Sequence, residues 1–431
     1  MKVKNTYKCL ILGALLFAAC DSVDYPDRFV QTSGVPKVDF IRYADKDVII
    51  TQANMEEVVC IVGDNLTSIH DLYFNDQAAI LNTSYMTAKT LLVSVPKTMP
   101  SVQTDKIYMI TKDGQEVTYD FKVLPPAPKI SSMSLEWANP GETVTISGSY
   151  LFDPVQVEFP GVDPVNASAG DGSEISVVIP EGAQPGKIKV TTSSGTAQSI
   201  FMYKDYRGML FNFDDDPHPA NHGWHAQVIE TDETALSGNF LRLGAPDVTL
   251  DAEGGWNDGN FSFEYWPGDW DDPVTYADSP RLTDFADFSD WKNMALKFEM
   301  YIPTSNPWMS GAMQILVGGV TVVTGGGAGV LDIDGNVTAG ANNTFISGSE
   351  VPRALYIPWK STGSFDTGNK WVTVTIPYSS FIYGPDGSQV TGELNASSFT
   401  SLTIFVWNGG VTGTECQPVI KIDNLRAVPY K

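Results

Sequence analysis

The sequence predicts an all-β protein of three antiparallel sandwiches, two small ones followed by a larger one of the jelly-roll type. Apolar and polar residues alternate in short runs, and turn-forming residues interrupt these runs at short intervals. In the run 296–302, for example, Leu296, Phe298 and Met300 share one face. No segment has the spacing of an amphipathic helix beyond one or two turns near residues 284–291.

The first half of the chain contains an internal repeat with a period of about 85 residues. The sequence VCIVGDNL at 59–66 matches VTISGSYL at 144–151, and LVSVP at 92–96 matches VVIP at 177–180. Each copy continues with a strand-like run and a short turn, Asp113-Gly114 in the first and Ser194-Gly195 in the second. Each copy is therefore predicted to be one small antiparallel sandwich.

These repeats resemble the IPT/TIG module, an immunoglobulin-like sandwich. The resemblance is carried by GETVTISG at 141–148 and VVIP at 177–180 in the second copy, and more loosely by the first. It implies immunoglobulin-like domains at 36–124 and 125–204, which act as spacers or interaction units. The larger sandwich then spans 205–431, and the prolines at 125, 126 and 128 stiffen the junction between the two modules.

The N-terminus is predicted to be a targeting signal. Lysines at 2, 4 and 8 precede an apolar stretch that is too short to span a bilayer, and the stretch ends LFAAC at 16–20. This ending resembles a bacterial lipobox, although Phe17 stands where such boxes usually carry leucine. The resemblance implies cleavage before Cys20 and lipidation of that residue, with 21–35 as a flexible tether. The alternative is an ordinary secretory signal followed by a chance cysteine.

Charge and cysteine content narrow the classes of partner. The net charge of -24 argues against nucleic acid, whose phosphates require basic patches, and suits an uncharged ligand. Beyond the signal only Cys60 and Cys416 remain, and they fall in different predicted domains. Neither a disulfide framework nor a thiolate metal site is therefore expected, and both residues are predicted to be buried thiols.

Aromatic residues distinguish the C-terminal domain, which holds nine of the ten tryptophans. A sugar ring has an apolar face that flat aromatic side chains can bind, provided that they stand exposed on loops. Five tryptophans lie among Gly, Pro, Asn or Asp residues typical of loops: Trp256, Trp266, Trp270, Trp308 and Trp359. With Tyr356 they are the predicted glycan-binding residues. The alternative for each is a lid over the sandwich end, and Trp291, Trp371 and Trp407 are expected in the core or at strand edges.

Taken together, the lipobox, the tandem modules and the last domain resemble the surface glycan-binding lipoproteins of Bacteroidetes polysaccharide utilisation loci. The subtype is the one whose C-terminal domain binds xyloglucan, and framework strands such as 295–299, 371–377 and 422–425 carry the likeness. It implies a non-catalytic protein on the outer membrane that captures a β-glucan such as xyloglucan, mixed-linkage glucan or laminarin. A SusC/SusD-like import machinery would be its partner, and no cofactor would be needed.

Two clusters could instead hold a metal ion. His218, His222 and His225 are close in sequence, but Pro and Gly between them remove the helix or strand that usually spaces such ligands, so no transition-metal site is predicted. The acidic runs 214–216 and 269–272 could coordinate a structural calcium ion, although neither has the spacing of a dedicated calcium loop.

Other functional classes have less support. A glycosidase needs two facing carboxylates, and nothing in the sequence pairs candidates such as Glu264 and Glu299. No Gly-x-Ser-x-Gly elbow occurs, and the glycine-rich run 325–329 lacks the Lys and Ser/Thr of a phosphate loop. An adhesin that binds another protein is the main alternative, and loss of the loop tryptophans would leave its adhesion intact.

Overall fold

The computed structural model describes residues 29–214, 227–265, 281–317, 328–331, 337–339, 346–349 and 351–430. The chain forms two compact units, Met1–Pro126 and Ala127–Lys431. The second predicted module therefore belongs to the same compact unit as the C-terminal domain. No helix in the described ranges has the length and apolar character needed to span a membrane.

The first unit is a small sandwich of two four-stranded antiparallel sheets, ordered β2-β1-β4-β7 and β6-β5-β8-β9, with β10 and β3 pairing in parallel. Its core includes Ile41, Ile61, Phe74 and Ile107. Its strands are β1 (Lys37–Tyr43), β2 (Ile49–Ile50), β3 (Gln52–Asn54), β4 (Val58–Asp64), β5 (Ile69–Phe74), β6 (Gln77–Ala78), β7 (Thr90–Ser94), β8 (Lys106–Thr111), β9 (Glu116–Asp120) and β10 (Lys122–Leu124). Two 3₁₀ turns occupy Leu66–Ser68 and Thr83–Tyr85.

The second module forms one seven-stranded antiparallel sheet that folds on itself, in the order β11-β12-β15-β14-β13-β16-β17. Apolar residues such as Val144, Ile146, Val157 and Val190 fill its interior. Its strands are β11 (Lys129–Met133), β12 (Thr143–Ser149), β13 (Val155–Glu158), β14 (Val165–Ala169), β15 (Glu174–Val178), β16 (Lys189–Thr192) and β17 (Gly195–Gln198).

The sequence repeat corresponds to a structural repeat in which one glycine has the same task in both copies. Gly63 lies in β4 and Gly148 in β12, and each faces the neighbouring strand where the register shifts by one residue. A Cβ atom on Gly63 would collide with the carbonyl of Lys37, and one on Gly148 with the carbonyl of Lys129. The close approach of two backbones therefore requires glycine at both positions.

The C-terminal domain is a sandwich of two sheets, one ordered β19-β20-β29-β22-β27 with β18 paired to β29, the other ordered β21-β28-β23-β26. A separate hairpin pairs β24 with β25. The strands are β18 (Met209–Phe211), β19 (Ile229–Glu230), β20 (Phe240–Leu243), β21 (Ser262–Tyr265), β22 (Met294–Tyr301), β23 (Ala312–Leu316), β24 (Ala328–Leu331), β25 (Val337–Ala339), β26 (Ala354–Tyr356), β27 (Val372–Pro377), β28 (Leu402–Trp407) and β29 (Ile420–Pro429).

Helical structure among the described residues is limited to short turns. The α-helices are α1 (Asp258–Phe261) and α2 (Leu282–Phe285), and 3₁₀ turns occupy Trp291–Asn293, Pro358–Ser361, Tyr378–Ser380 and Ala396–Ser398. The all-β fold class is thus confirmed, and the expected helical turns near 284–291 correspond to α2 and the turn at Trp291–Asn293. Cys60 and Cys416 are both buried and unpaired.

Strand β22 is buried along its whole length because its two faces meet different partners. Leu296, Phe298 and Met300 point into the sandwich core. On the other face, Lys297 donates to Glu136 of the second module over 2.5 Å, and Glu299 pairs with Arg426 of β29 over 2.8 Å.

A buried charge cluster thereby joins the second module to the C-terminal domain. Arg426 also binds Glu136 over 2.9 Å, so this arginine contacts carboxylates from both parts of the unit. The side chains of Glu136, Lys297, Glu299 and Arg426 are each at most 6% exposed. Since removal of either partner from a buried ion pair strands the other charge away from water, the cluster holds the two parts together only while it is complete.

Replacement of Arg426 by alanine is expected to destabilise the second unit by about 3–5 kcal/mol, because Glu136 and Glu299 would lose their shared counter-charge. All ten tryptophans lie after residue 126, so tryptophan fluorescence during urea unfolding reports on this unit alone. The control is Lys189→Ala, whose ion pair with Glu158 is exposed to solvent at both ends and should contribute about 1 kcal/mol or less. Equal shifts in both variants would contradict a special role for the cluster.

A second buried carboxyl group lies beside this cluster. Burial raises the pKa of Asp423 to about 8, and the nearby charges of Glu299 and Asp214 act in the same direction. One oxygen, Oδ1, accepts the backbone N–H of Asn424 over 2.7 Å, while Oδ2 is buried without a hydrogen-bond partner among the described residues. This carboxyl group is therefore protonated at neutral pH in the folded state.

The raised pKa of Asp423 predicts a pH-dependent stability with a defined sign. The folded state holds this proton more tightly than the unfolded state, so the contribution is complete below about pH 4 and is lost as the pH rises towards 8. The free energy of unfolding should fall by at most about 1.4 kcal/mol per pH unit in this range. In Asp423→Asn this part of the slope should disappear, as measured by urea unfolding at pH 5, 6, 7 and 8. An unchanged slope in the variant would show that Asp423 is ionised when folded.

Candidate functional site

The four-stranded sheet of the C-terminal domain has one face in the core and one facing away from it. Residues alternate along β28, so Ile404, which pairs with Phe263, and Val406 lie on one face, and Phe405 and Trp407 lie on the opposite face. Phe405 is itself fully buried, whereas Trp407 is partly buried. Trp407 is paired with Ala312 of β23, and Phe405 with Gln314. This opposite face, at the end of the sheet where Trp407 lies, is called the outer face below.

Trp256 is the most exposed of the tryptophans that the structure describes. Its side chain is 40% exposed, and its ring lies edge-on against Phe405 and Trp407, with 4.9 Å between ring centroids in each case. Trp407 is itself partly buried and stacks on Phe405 at 5.8 Å. The three rings form an aromatic cluster on the outer face, with Trp256 on the solvent side.

The loop that carries Trp256 is anchored by its own backbone. The N–H of Asn408 donates to the carbonyl of Gly254 over 2.8 Å, and Gly413 donates to Ala252 over the same distance. Gly254 has a φ of +66°, and a Cβ atom there would lie 2.6 Å from the Cα of Gly311. Glycine is therefore required for the close approach that presents Trp256 above the sheet.

Beside the aromatic cluster lies a hollow of about 370 Å³. Its lining combines apolar side chains, polar groups and exposed backbone from the segments after β26, β27 and β28: Leu355, Ile357, Lys360, Tyr383, Asp386, Gly387, Gly409, Gly410 and Val411. Gly409, which lines the hollow, packs on Ala312, and Ala312 is paired with Trp407. The hollow therefore adjoins the aromatic cluster.

A buried arginine organises the backbone around this hollow. Arg353 is fully buried and donates to the side chain of Gln314 over 2.7 Å and to the carbonyls of Ile346 and Gly348 over 2.6 and 3.0 Å. Gln314 in turn donates to the carbonyls of Pro385 and Trp407 over 3.1 and 2.8 Å. Burial lowers the pKa of Arg353 to about 10. Sequence analysis missed both residues, although a glutamine within an apolar strand and an arginine just before one are a signal of such a network.

Two of the predicted binding residues are not exposed. Trp308 is 0% exposed and Trp359 is 4% exposed, so the expectation that both rings stand in water is wrong. The indole of Trp308 donates to the carbonyl of Ser310, and that of Trp359 to Gly311 over 2.9 Å. Each ring thus finds an apolar pocket and a backbone acceptor within the fold, which is the usual arrangement of a buried tryptophan.

Tyr356 lies beside these buried rings. It is partly buried, and its ring centroid is 6.1 Å from that of Trp308. Burial raises the pKa of its phenol to about 12. Trp308 and Tyr356 are therefore neighbours, as expected for a shared site, but they meet inside the domain.

The remaining sequence-based candidates lie elsewhere. Trp266, Trp270, the three histidines at 218, 222 and 225, and all residues of the two acidic runs except Asp214 are outside the described residues. Within the described ranges, no group of three or more His, Cys, Asp or Glu side chains could hold a metal ion.

The two carboxylates considered for glycosidase chemistry do not face each other. Glu264 lies on the outer face of the four-stranded sheet and is 2% exposed, whereas Glu299 is 0% exposed on the opposite side of the sandwich. Packed sheets are about 10 Å apart, and both side chains point away from the space between them. Their separation therefore exceeds the roughly 5–9.5 Å that glycoside hydrolysis requires.

Comparisons with known proteins agree with this architecture. Residues 203–429 match the family described as the surface glycan-binding protein B xyloglucan binding domain. The surface glycan-binding protein PbSGBP-B from Prevotella bryantii is 44% identical, and the match covers 93% of this chain and 100% of that one with a TM-score of 0.80. The chain belongs to the surface glycan-binding proteins.

This identification confirms the family that the sequence features indicate, and with it a non-catalytic role in glycan binding at the cell surface. A further relative, an IPT/TIG domain-containing protein from Bacteroides ovatus, is 26% identical over 154 residues. That match covers 33% of this chain and 30% of the curated relative, so the chain spans less than a third of that protein's length.

Because Trp308 is buried and Trp256 is exposed, replacing each of them should affect the stability of the protein differently. Trp308→Ala should destabilise the second unit by about 3–5 kcal/mol, because the substitution leaves a cavity in the core. Trp256→Ala removes a ring that is 40% exposed and should change the midpoint of urea unfolding much less. A small effect of Trp308→Ala would indicate that this ring is not part of the core.

Proposed function

We propose that this surface glycan-binding protein captures a β-linked glucan on the outer face of the C-terminal four-stranded sheet. The observation that carries the proposal is the exposed indole of Trp256, which is supported from below by Phe405 and Trp407. A ring held in this way offers a flat apolar surface that loses little conformational freedom on binding.

The surface beside Trp256 carries polar groups that can bind the hydroxyl groups of a sugar. Sugar rings present hydroxyl groups around an apolar face, and the adjoining hollow offers the side chains of Lys360, Tyr383 and Asp386 as hydrogen-bonding partners. Adjacent strands are about 4.8 Å apart, so the path from β28 to β26 is about 10 Å long. Such a path suits an extended stretch of polysaccharide better than a single sugar.

The glycan is proposed to be xyloglucan or a related β-glucan such as mixed-linkage glucan or laminarin. The description of the matching family names xyloglucan, and the acidic chain favours an uncharged ligand over an anionic one. Because binding neutralises no charge, the affinity is expected to change little between low and physiological salt.

Location and delivery complete the proposal. Cys20 would carry the lipid that anchors the protein to the outer membrane, and residues 21–35 would form the tether. A SusC/SusD-like import machinery would receive the captured polysaccharide. These steps rest on the lipobox-like sequence and on the family, and loss of surface attachment in Cys20→Ala would test the anchor.

The binding site can be tested by affinity electrophoresis in gels that contain xyloglucan, mixed-linkage β-glucan, laminarin or mannan. Trp256→Ala and Trp407→Ala are expected to weaken binding about tenfold or more, since stacking on an aromatic ring is worth about 1–3 kcal/mol by analogy with nucleic-acid bases. The control is Trp291→Ala, a partly buried tryptophan that packs near Phe399 and should leave the mobility unchanged. Retardation by a β-glucan that persists in both test variants would place the site elsewhere.

A further inference from the structure

A cleft of about 740 Å³ lies between the second module and the C-terminal domain, within the second compact unit. It is about twice as large as the hollow on the outer face and within the range of about 300–1,000 Å³ found for ligand-binding pockets. One wall is formed by the segment 134–145, and the other by the segments 233–236 and 367–372 with Tyr301. Pockets at the junction of two domains are frequent binding sites.

The walls of this cleft are held in place by contacts across the junction. The backbone N–H of Thr373 donates to the carbonyl of Ser134 over 2.8 Å, and the backbone N–H of Glu136 donates to the hydroxyl of Thr373 over 2.7 Å. The amide of Asn139 reaches the carbonyl of Leu236 over 3.1 Å. Together with the buried cluster around Arg426, these bonds make the cleft a preformed feature, so a ligand need not order its walls.

The base of the cleft is aromatic and apolar. Trp371 and Tyr301 are 8% and 7% exposed, their ring centroids are 5.6 Å apart, and Leu135 and Leu236 are each 7% exposed. The indole of Trp371 donates to the carbonyl of Thr234 over 2.6 Å, which fixes the ring. The small exposed parts of these side chains provide an apolar floor.

The rim carries neutral and charged groups with hydrogen-bonding capacity. Hydroxyl groups come from Ser134, Thr143 and Thr145, and the rim also contains the amide groups of Asn139 and Asn369, which bond to Leu236 and Thr304 respectively. The charges are mixed, with Lys370 facing a cleft that also contains Glu142 and Glu233. Lys370 and Glu233 are exposed and form no ion pair in the part of the chain that the structure describes.

We infer that this cleft is a second glycan-binding site, which takes a short stretch of neutral saccharide. The inference rests on the proposed function, because it assumes the same class of ligand as the outer face. An apolar floor below a rim of hydroxyl and amide groups matches a polyol. The single lysine beside two glutamates gives no net positive charge to attract a phosphate or a carboxylate.

The two sites are independent because they lie on opposite sides of the C-terminal sandwich. The second module packs on the face of the six-stranded sheet that carries Lys297 and Glu299, whereas Trp256 lies on the outer face of the other sheet. One short oligosaccharide cannot occupy both sites. The protein therefore binds two saccharide segments at once, and a long polysaccharide gains avidity from this arrangement.

Isothermal titration of the intact chain with xyloglucan oligosaccharides and with mixed-linkage β-glucan oligosaccharides tests the inference. Thr145→Trp places a bulky ring in the cleft from the central strand β12. Its matched control is Thr191→Trp, at an exposed position of β16 in the same module and outside the cleft lining. The wild type and the control should bind two oligosaccharides per chain, and Thr145→Trp should bind one. Trp256→Ala should keep one event at wild-type affinity and weaken the other about tenfold or more, and the variant that combines both changes should keep only the weakened event.

Lys370→Ala provides a check that does not depend on how the module accommodates a new tryptophan, since this side chain is exposed. It should weaken one of the two binding events about tenfold or more, in line with the loss of a hydrogen bond from a charged donor. Unfolding midpoints of all variants should stay near that of the wild type.

The possible failures are distinguishable. One oligosaccharide per wild-type chain, weakened in Trp256→Ala and kept in Thr145→Trp, would overturn the cleft site and leave the proposed function intact. One oligosaccharide lost only in Thr145→Trp would support the cleft and refute the outer-face site. A wild type that binds neither β-glucan would contradict the proposed function and the inference together.

Discussion

The second compact unit depends on one arginine placed where no water can reach it. Arg426 is 0% exposed and bonds to Glu299 within the C-terminal domain and to Glu136 of the second module. In a low-dielectric interior each of these charges needs its partner, so the module cannot detach without the desolvation cost of stranding ions. The second module is therefore part of the platform that carries the C-terminal domain, and both belong to the same compact unit.

This attachment determines which surface of the C-terminal sandwich is left for a ligand. Part of one sheet is covered because Lys297 and Glu299 face the second module, and β22 is consequently buried on both sides. On the other sheet Phe405 is also buried, but at the end where Trp407 lies Trp256 stands 40% exposed above its aromatic support. The second module thus covers one sheet, and the proposed binding face lies on the other sheet, where an aromatic ring is exposed.

The same attachment also creates the cleft. The second module and the C-terminal domain are joined by fixed contacts, and the cleft lies beside these contacts. Its rim is lined with threonine, asparagine and lysine. The two proposed binding surfaces share a mixture of aromatic support and polar rim without a concentration of positive charge. For a chain with a net charge of -24, uncharged polymers are the ligands that such surfaces can bind without electrostatic repulsion.

The alternating pattern of the sequence determined the all-β fold class, and its internal repeat determined that two similar modules precede a larger domain. Local patterns suffice for this because strand periodicity and turn chemistry act over a few residues. The exposure of each tryptophan was decided only by the tertiary structure. Trp308 and Trp256 both lie among loop-forming residues, yet the backbone of Trp308 pairs with that of Phe365 and its ring joins the core, whereas Trp256 is held above Phe405 by the contacts of its loop at Gly254. Burial depends on residues distant in sequence, such as Phe365 for Trp308 and Asn408 for Trp256, which no local pattern contains.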